Sequence, residues 1–311
     1  MSKKLSVIVI CITPFDARGR VDENAFRTQL RRLRDAGVSV FVGGSGSSEG
    51  YTLTPEERER LLAIAVEELK GKVPVRADGV EPRTTAEMVA FLRRVERFDL
   101  DALRIMPLDI GHGARPTAAE LDKYNSTAVA STSRPVILTS HQAVGYALPL
   151  DLVERLVGRF PNIVGINYGG TDIPYLAELI KRVGDRIEVH CAGPYNAVAT
   201  LALGGNGFMG GEGNFAPALV ASVISAWQVK DMDRLRESFG KLMGLAAIIN
   251  RYGGSTLRGL KPLLNAFGLP GGTLRDPRVA IGPDELEEMI KAVLELKIPG
   301  TPPLVAPRTR P

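Results

Sequence analysis

Eight short apolar runs, each followed by a longer amphipathic stretch, set the strongest limit on what this chain can fold into. The runs are Val7–Cys11, Val38–Val42, Val73–Ala77, Ala102–Met106, Val136–Thr139, Ile163–Asn167, Ile187–Cys191 and Gly207–Gly210. They are nearly continuous in apolar residues, as expected of parallel strands covered on both faces. The stretches between them are helical in period: Glu56–Leu69 puts Leu61, Leu62, Ala65 and Leu69 on one face. Two helix starts are explicit. Thr54-Pro55-Glu56-Glu57 offers an N-cap threonine, a first-turn proline and a glutamate three residues on, and Thr117-Ala118-Ala119-Glu120 repeats the capping pattern. Eight strand–helix units predict an α/β chain of the (β/α)8 TIM-barrel class, helices outside. A doubly wound open sheet is the alternative. It needs a glycine fingerprint after a strand, and Gly43-Gly44-Ser45-Gly46 lacks that spacing.

The barrel units occupy about 1–230. Three further helical patterns, Asp231–Asn250, Leu257–Phe267 and Asp284–Leu296, predict a C-terminal helical segment over 231–297. No Ser/Pro-rich linker precedes it, so it is read as part of the same domain. Residues 298–311 hold five prolines and predict an extended tail. A length of 311 fits one barrel with such an addition, and 44% hydrophobic residues exclude a disordered chain.

The net charge is +4, and Lys297, Arg308 and Arg310 stand in a C-terminal stretch without acids. There is no basic stripe, so no nucleic-acid partner is expected. Cys11 and Cys191 have neither disulfide-scaffold nor zinc spacing. The first apolar run is short, contains Ser6 and leads into no small-residue cleavage site, which favours a strand over a signal peptide. No apolar run approaches the roughly 18 residues of a membrane span. A cytoplasmic location without a membrane partner is expected.

Several ordered motifs carry a family resemblance. They are Ile12-Thr13-Pro14-Phe15-Asp16, with Gly19 and Val21-Asp22-Glu23 after it; Ser45-Gly46-Ser47-Ser48-Glu49 followed by Leu53-Thr54-Pro55-Glu56-Glu57; Asn162-Ile163-Val164-Gly165-Ile166; Ala202-Leu203-Gly204-Gly205; Asn214-Phe215-Ala216-Pro217; and Gly268-Leu269-Pro270-Gly271-Gly272. Together, over about Ser6 to Leu296, the chain resembles the dihydrodipicolinate synthase / N-acetylneuraminate lyase family. The resemblance implies a (β/α)8 barrel with C-terminal helices, a homotetramer or dimer, and a small-molecule acid substrate. It also implies cleavage or condensation of pyruvate-type 2-oxo acids through a lysine imine.

That chemistry meets departures in this sequence. By the resemblance, the imine lysine falls at Asn167, whose amide nitrogen has no free lone pair for imine formation. The family's strand-five tyrosine falls at Thr139, in Thr139-Ser140-His141-Gln142. Its carboxylate-binding arginine falls at Val144, and its tyrosine pair at Leu108-Asp109. None of the other lysines ends an expected barrel strand, and Lys261 matches a family lysine outside the barrel. A nucleophilic lysine has to sit desolvated beside the substrate, so a lysine-free reaction is expected.

Barrel enzymes work at the C-terminal ends of their strands. The polar residues there make the candidate site. His141 is the first choice for acid/base work because its pKa suits proton transfer near neutrality; a loop hydrogen bond is the plainer alternative. Thr139, Asn167 and Glu212 join it as candidate catalytic groups. Asn167 could donate to a substrate oxygen. Glu212 could be a base, or could cap a helix starting at Asn214. Ser45, Ser47 and Ser48 are expected to bind a carboxylate, as the resembling motif does, with Tyr168 beside them; a tight turn is the alternative. His190 is expected to be a satisfied core residue and His112 a loop residue. His141, His190, Glu212 and Asp78 are possible metal-ligand types without diagnostic spacing, so neither a metal nor a cofactor is expected. The expectation is a lyase-like enzyme acting on a small oxo- or hydroxy-acid by acid/base chemistry. A catalytically silent member that binds a small acid or regulates an active paralogue is the alternative.

Overall fold

The computed structural model describes residues 4–253 and 256–305. Eight parallel strands close into a barrel in sequence order: β1 (Ser6–Ile10), β2 (Ser39–Val42), β3 (Val75–Ala77), β4 (Ala102–Arg104), β5 (Val136–His141), β6 (Ile163–Gly169), β7 (Glu188–Ala192) and β8 (Gly207–Gly210), with β8 pairing back onto β1. The helices between them are α1 (Glu23–Asp35), α2 (Pro55–Leu69), α3 (Thr85–Val95), α4 (Ala118–Ala130), α5 (Leu150–Arg159), α6 (Ile173–Val183) and α7 (Ala197–Ala202), with α8 (Pro217–Gln228) after β8. Then come α9 (Met232–Gly253), α10 (Thr256–Ala266) and α11 (Pro283–Glu295).

Both expected capping boxes form. Thr54 Oγ1 accepts from the Glu57 amide at 3.1 Å, and the Thr54 amide donates to Glu57 at 3.0 Å. Thr117 and Glu120 do the same at the start of α4. One expected start moves. The chain around Asn214 makes a single 3-10 turn, Glu212–Asn214, and α8 begins at Pro217. The Asn214 side chain is taken up elsewhere: it accepts from the Ile12 amide at 3.0 Å and donates to the Ile10 carbonyl at 2.8 Å, tying this turn to the end of β1.

Strand pleating divides the core in two. Residues of one parity fill the lumen, where Ile8, Phe41, Ala102, Ile137 and Met209 pack together. Residues of the other parity face the helices and form the larger core with Val9, Val40, Leu103, Leu138 and Ile166. β5 and β6 run further toward the mouth than the sequence suggests, because Thr139, Ser140 and His141 pair in register with Asn167, Tyr168 and Gly169. Residues 298–305 lack regular structure, though Val305 donates to the Ala266 carbonyl at 3.0 Å; 306–311, the rest of the expected tail, lie outside the described residues. Among the described residues no helix is long and apolar enough to cross a membrane.

Candidate active site at the barrel mouth

A cavity of about 660 Å³ opens at the C-terminal ends of the strands. That is the size of small-molecule sites and the end where barrel enzymes work. Ile10, Met106, Ala192 and Met209 give it apolar walls, and Asp78, Glu81, Arg104, His141, Tyr195, Glu212 and Arg278 supply charge or titratable groups. Among the described residues no lysine lines it.

Four of the expected residues reach this cavity: Ser45, Ser47, His141 and Glu212. Ser45 donates to Glu81. His141 ends β5 and is partly exposed. Its Nδ1 accepts from the Ala143 amide at 3.0 Å. A backbone N–H can only donate, so Nδ1 carries no proton and the neutral ring is protonated at Nε2. Burial, and then Arg104, push the His141 pKa below the usual imidazole range, against a smaller pull from Glu81. At neutral pH the ring is therefore uncharged, a donor through Nε2–H with its basic Nδ1 lone pair taken by the Ala143 amide. Burial pushes the Glu212 carboxyl above the ordinary carboxylate range, opposed by backbone hydrogen bonds. That is the direction that suits a carboxyl group to exchanging protons near neutrality.

Four other expectations are corrected by placement. Tyr168 follows Asn167 on one strand, so its side chain points to the opposite face. It stacks on Tyr175 with ring centroids 4.7 Å apart, and its hydroxyl accepts from the Asp172 amide at 3.2 Å, outside the lumen. Ser48 is fully buried and donates to the Cys11 carbonyl at 2.5 Å, so it bonds a strand end and not the cavity. Thr139 does face the lumen, but its hydroxyl accepts from Arg104 Nε at 2.9 Å. Asn167 lies in the lumen at 1% exposure, off the cavity wall, with neither amide atom bonded to a described residue.

The other histidines lie elsewhere. His190 is inside the barrel near its N-terminal end, with Nε2 2.9 Å from Ser6 Oγ. His112 is exposed in a loop at positive φ. Among the described residues no group of three His, Cys, Asp or Glu side chains is arranged to hold a metal ion.

Glu81 and Arg104 are among the cavity residues that a reading based on histidines and family motifs misses. Glu81 lies four residues beyond the end of β3 and carries no local motif. Arg104 had a usable signal, since it stands alone and charged within an apolar strand run. In the barrel it is 3% exposed, with Nη1 3.1 Å from Asp78 Oδ2 and its guanidinium over the Phe41 ring at 5.1 Å. Burial pushes the Asp78 carboxyl upward, while Arg104 draws it down.

Gly169 is required where it stands. A Cβ there would lie 2.2 Å from His141 Cδ2 and 2.6 Å from Nε2. Gly169→Ala is expected to swing the imidazole away and break the Ala143 contact, read in long-range ¹H–¹⁵N NMR as a change in the Nε2-protonated pattern of His141. An unchanged pattern would mean that the ring is not packed on this glycine.

The comparisons with known proteins agree with the barrel. Residues 3–296 match the model of the "Dihydrodipicolinate synthetase family". A 4-hydroxy-tetrahydrodipicolinate synthase of Thermodesulfovibrio yellowstonii is 28% identical over 239 residues, 76% of this chain and 79% of that protein. A probable 5-dehydro-4-deoxyglucarate dehydratase of Bradyrhizobium diazoefficiens is 26% identical over 289 residues, 92% of this chain and 90% of that protein. In fold, the chain is similar to an E. coli K12 prophage protein of the dihydrodipicolinic acid synthase family solved with pyruvate, at TM-score 0.87 and 23% identity, covering 94% of this chain and 99% of that one. It is likewise similar to Proteus mirabilis N-acetylneuraminate lyase, at TM-score 0.83 and 18% identity, covering 96% and 100%. With the family match running from the first strand through the last helix, the chain belongs to the dihydrodipicolinate synthetase family.

Proposed function

We propose that this protein is a lyase-like enzyme that acts on a small oxo- or hydroxy-acid by proton transfer, without a lysine imine. The observation that carries this reading is the cavity itself, in which Glu212 is placed to handle a proton, His141 to donate a hydrogen bond, and no described lining residue is a lysine. Glu212, its carboxyl pushed upward by burial, gives or takes the proton. His141 Nε2–H polarises a substrate oxygen, the role its tautomer fits. In elimination of water, Glu212 as carboxylate takes the proton from the carbon next to the carbonyl and delivers it to the hydroxyl leaving the neighbouring carbon as the double bond forms, while His141 Nε2–H holds the carbonyl oxygen; addition of water reverses these steps. The Bradyrhizobium relative named as a dehydratase supports that reaction class. A homotetramer or dimer is part of the proposal.

A silent, acid-binding member is the second reading. It is favoured by Asn167, closed off from the cavity, and by Thr139, bonded to Arg104.

A screen of small hydroxy- and oxo-acids for turnover separates the two readings. Turnover is expected, and Glu212→Gln is expected to lower it by about 10²–10⁴-fold. No turnover across the screen, or an active Glu212→Gln protein, would contradict the proton-transfer reading. The purified protein is also expected to form no product from pyruvate and aspartate semialdehyde; measurable turnover of that pair would contradict the lysine-free reading.

A further inference from the structure

Proton transfer by Glu212 and polarisation by His141 leave Arg104 without a task. Its guanidinium is braced on three sides: Nη1 on Asp78 at 3.1 Å, Nε on Thr139 at 2.9 Å, and one face on the Phe41 ring at 5.1 Å. A guanidinium carries five N–H donors in a rigid plane, and the two hydrogen bonds use two of them. Among the described residues nothing accepts from Nη2, and Arg104 lines the cavity. We propose that Arg104 is the carboxylate receptor of this site, presenting its Nη2 edge to the acid group of the substrate at the cavity floor. This rests on the small-acid reading given above and names the group that would recognise the acid.

The chemistry favours this use. A donor already fixed by protein contacts loses little freedom when it binds. Arg–carboxylate hydrogen bonds are charge-assisted and directional. Asp78 balances the charge of Arg104, so recognition depends on the direction of the free donors more than on net field. The remaining acids of the cavity are occupied or muted: Glu81 accepts from Ser45, and burial drives Glu212 toward its neutral form. With the carboxylate on the floor, the rest of a small acid extends toward the mouth, where His141 and Glu212 line the same cavity. The position at which the family resemblance puts a carboxylate-binding arginine is Val144, on a different strand end. Arg104 would meet the same need from β4.

The test is calorimetric titration of the full chain, at constant ionic strength, with pyruvate, malonate and 2-oxoglutarate, and with methyl pyruvate as the uncharged control. The wild-type protein is expected to bind at least one of the acids about tenfold or more tightly than the ester. Arg104→Gln is expected to remove that preference. The double variant Asp78→Asn/Arg104→Gln leaves no buried carboxylate without its partner; it should give the same result and keeps the test readable if the single variant does not fold. Wild-type protein that binds none of the acids, or binds ester and acids alike, would overturn the proposal, as would either variant retaining the preference. Arg104-dependent binding without turnover of any acid upholds the receptor and defeats the proton-transfer reading. Turnover indifferent to Arg104 does the reverse.

Discussion

Lys261→Met is expected to destabilise the protein by about 3–5 kcal/mol, the cost of stranding one member of a buried ion pair. Lys261 and Glu49 are both fully buried and paired with each other. The ammonium also donates to the Thr13 carbonyl at 2.7 Å and the Thr273 carbonyl at 2.8 Å, and lies 4.5 Å from the centre of the Phe15 ring. One side chain from α10 thus ties together the end of β1, the turn after β2 and the segment after α10. Burial pushes its pKa down to about 8, with Glu49 pulling the other way. Methionine keeps the length of the stem but removes the charge, leaving the Glu49 carboxylate and two carbonyls without their donor. In large domains each kcal/mol moves the melting midpoint by about 2–4 °C, so a fall on the order of 10 °C is expected in a thermal scan. Glu49→Gln combined with Lys261→Met should recover part of it, because the stranded charge is gone. A midpoint within a degree of wild type would show that this pair does not hold α10 to the barrel.

The acid limb of stability is expected to carry the signature of His190. Burial, and then Arg76, lower its pKa to about 3, whereas an unfolded histidine titrates near 6.5. Between those values the unfolded chain takes up a proton that the folded chain refuses. Stability therefore falls as pH falls from about 6.5 toward 3, by about 1.4 kcal/mol per pH unit while the window is fully open. By pH 5 the loss from this group is about 2 kcal/mol. Comparing denaturant midpoints at pH 7 and pH 5 isolates it from most carboxylates, which titrate lower. His190→Gln can still bond Ser6 but cannot take up the proton, so its midpoint should move less between the two pH values. Equal movement in variant and wild type would contradict a neutral, buried His190.

Particular residues show how far the sequence reaches. The eight strands were legible because parallel strands buried on both faces leave uninterrupted apolar runs, and Thr54 and Thr117 announced their helices by local bonding that needs no tertiary context. The mouth of the barrel was legible only to the level of which strand ends meet there. Whether a side chain faces lumen or helix depends on strand phase, and phase is fixed by closure of the whole barrel. Alternation does forbid neighbours from sharing a face, so Asn167 and Tyr168 could not both have lined the cavity. Ser48 and Thr139 are polar residues at the right strand ends whose hydroxyls satisfy other parts of the protein, a choice that only packing decides. Arg104 was the reverse case: a charged residue in an apolar run that gains its meaning from Asp78, Thr139 and Phe41, on three other strands or their ends.

The reaction proposed for this member of the family runs without a lysine imine. Incubation of the purified protein with pyruvate and sodium borohydride, followed by intact-mass spectrometry, tests it most directly. An unchanged mass is expected, since an imine cannot form at Asn167 and Lys261 is held by Glu49 away from the cavity. A reduced pyruvate adduct, mapped to any lysine of the chain, would contradict it.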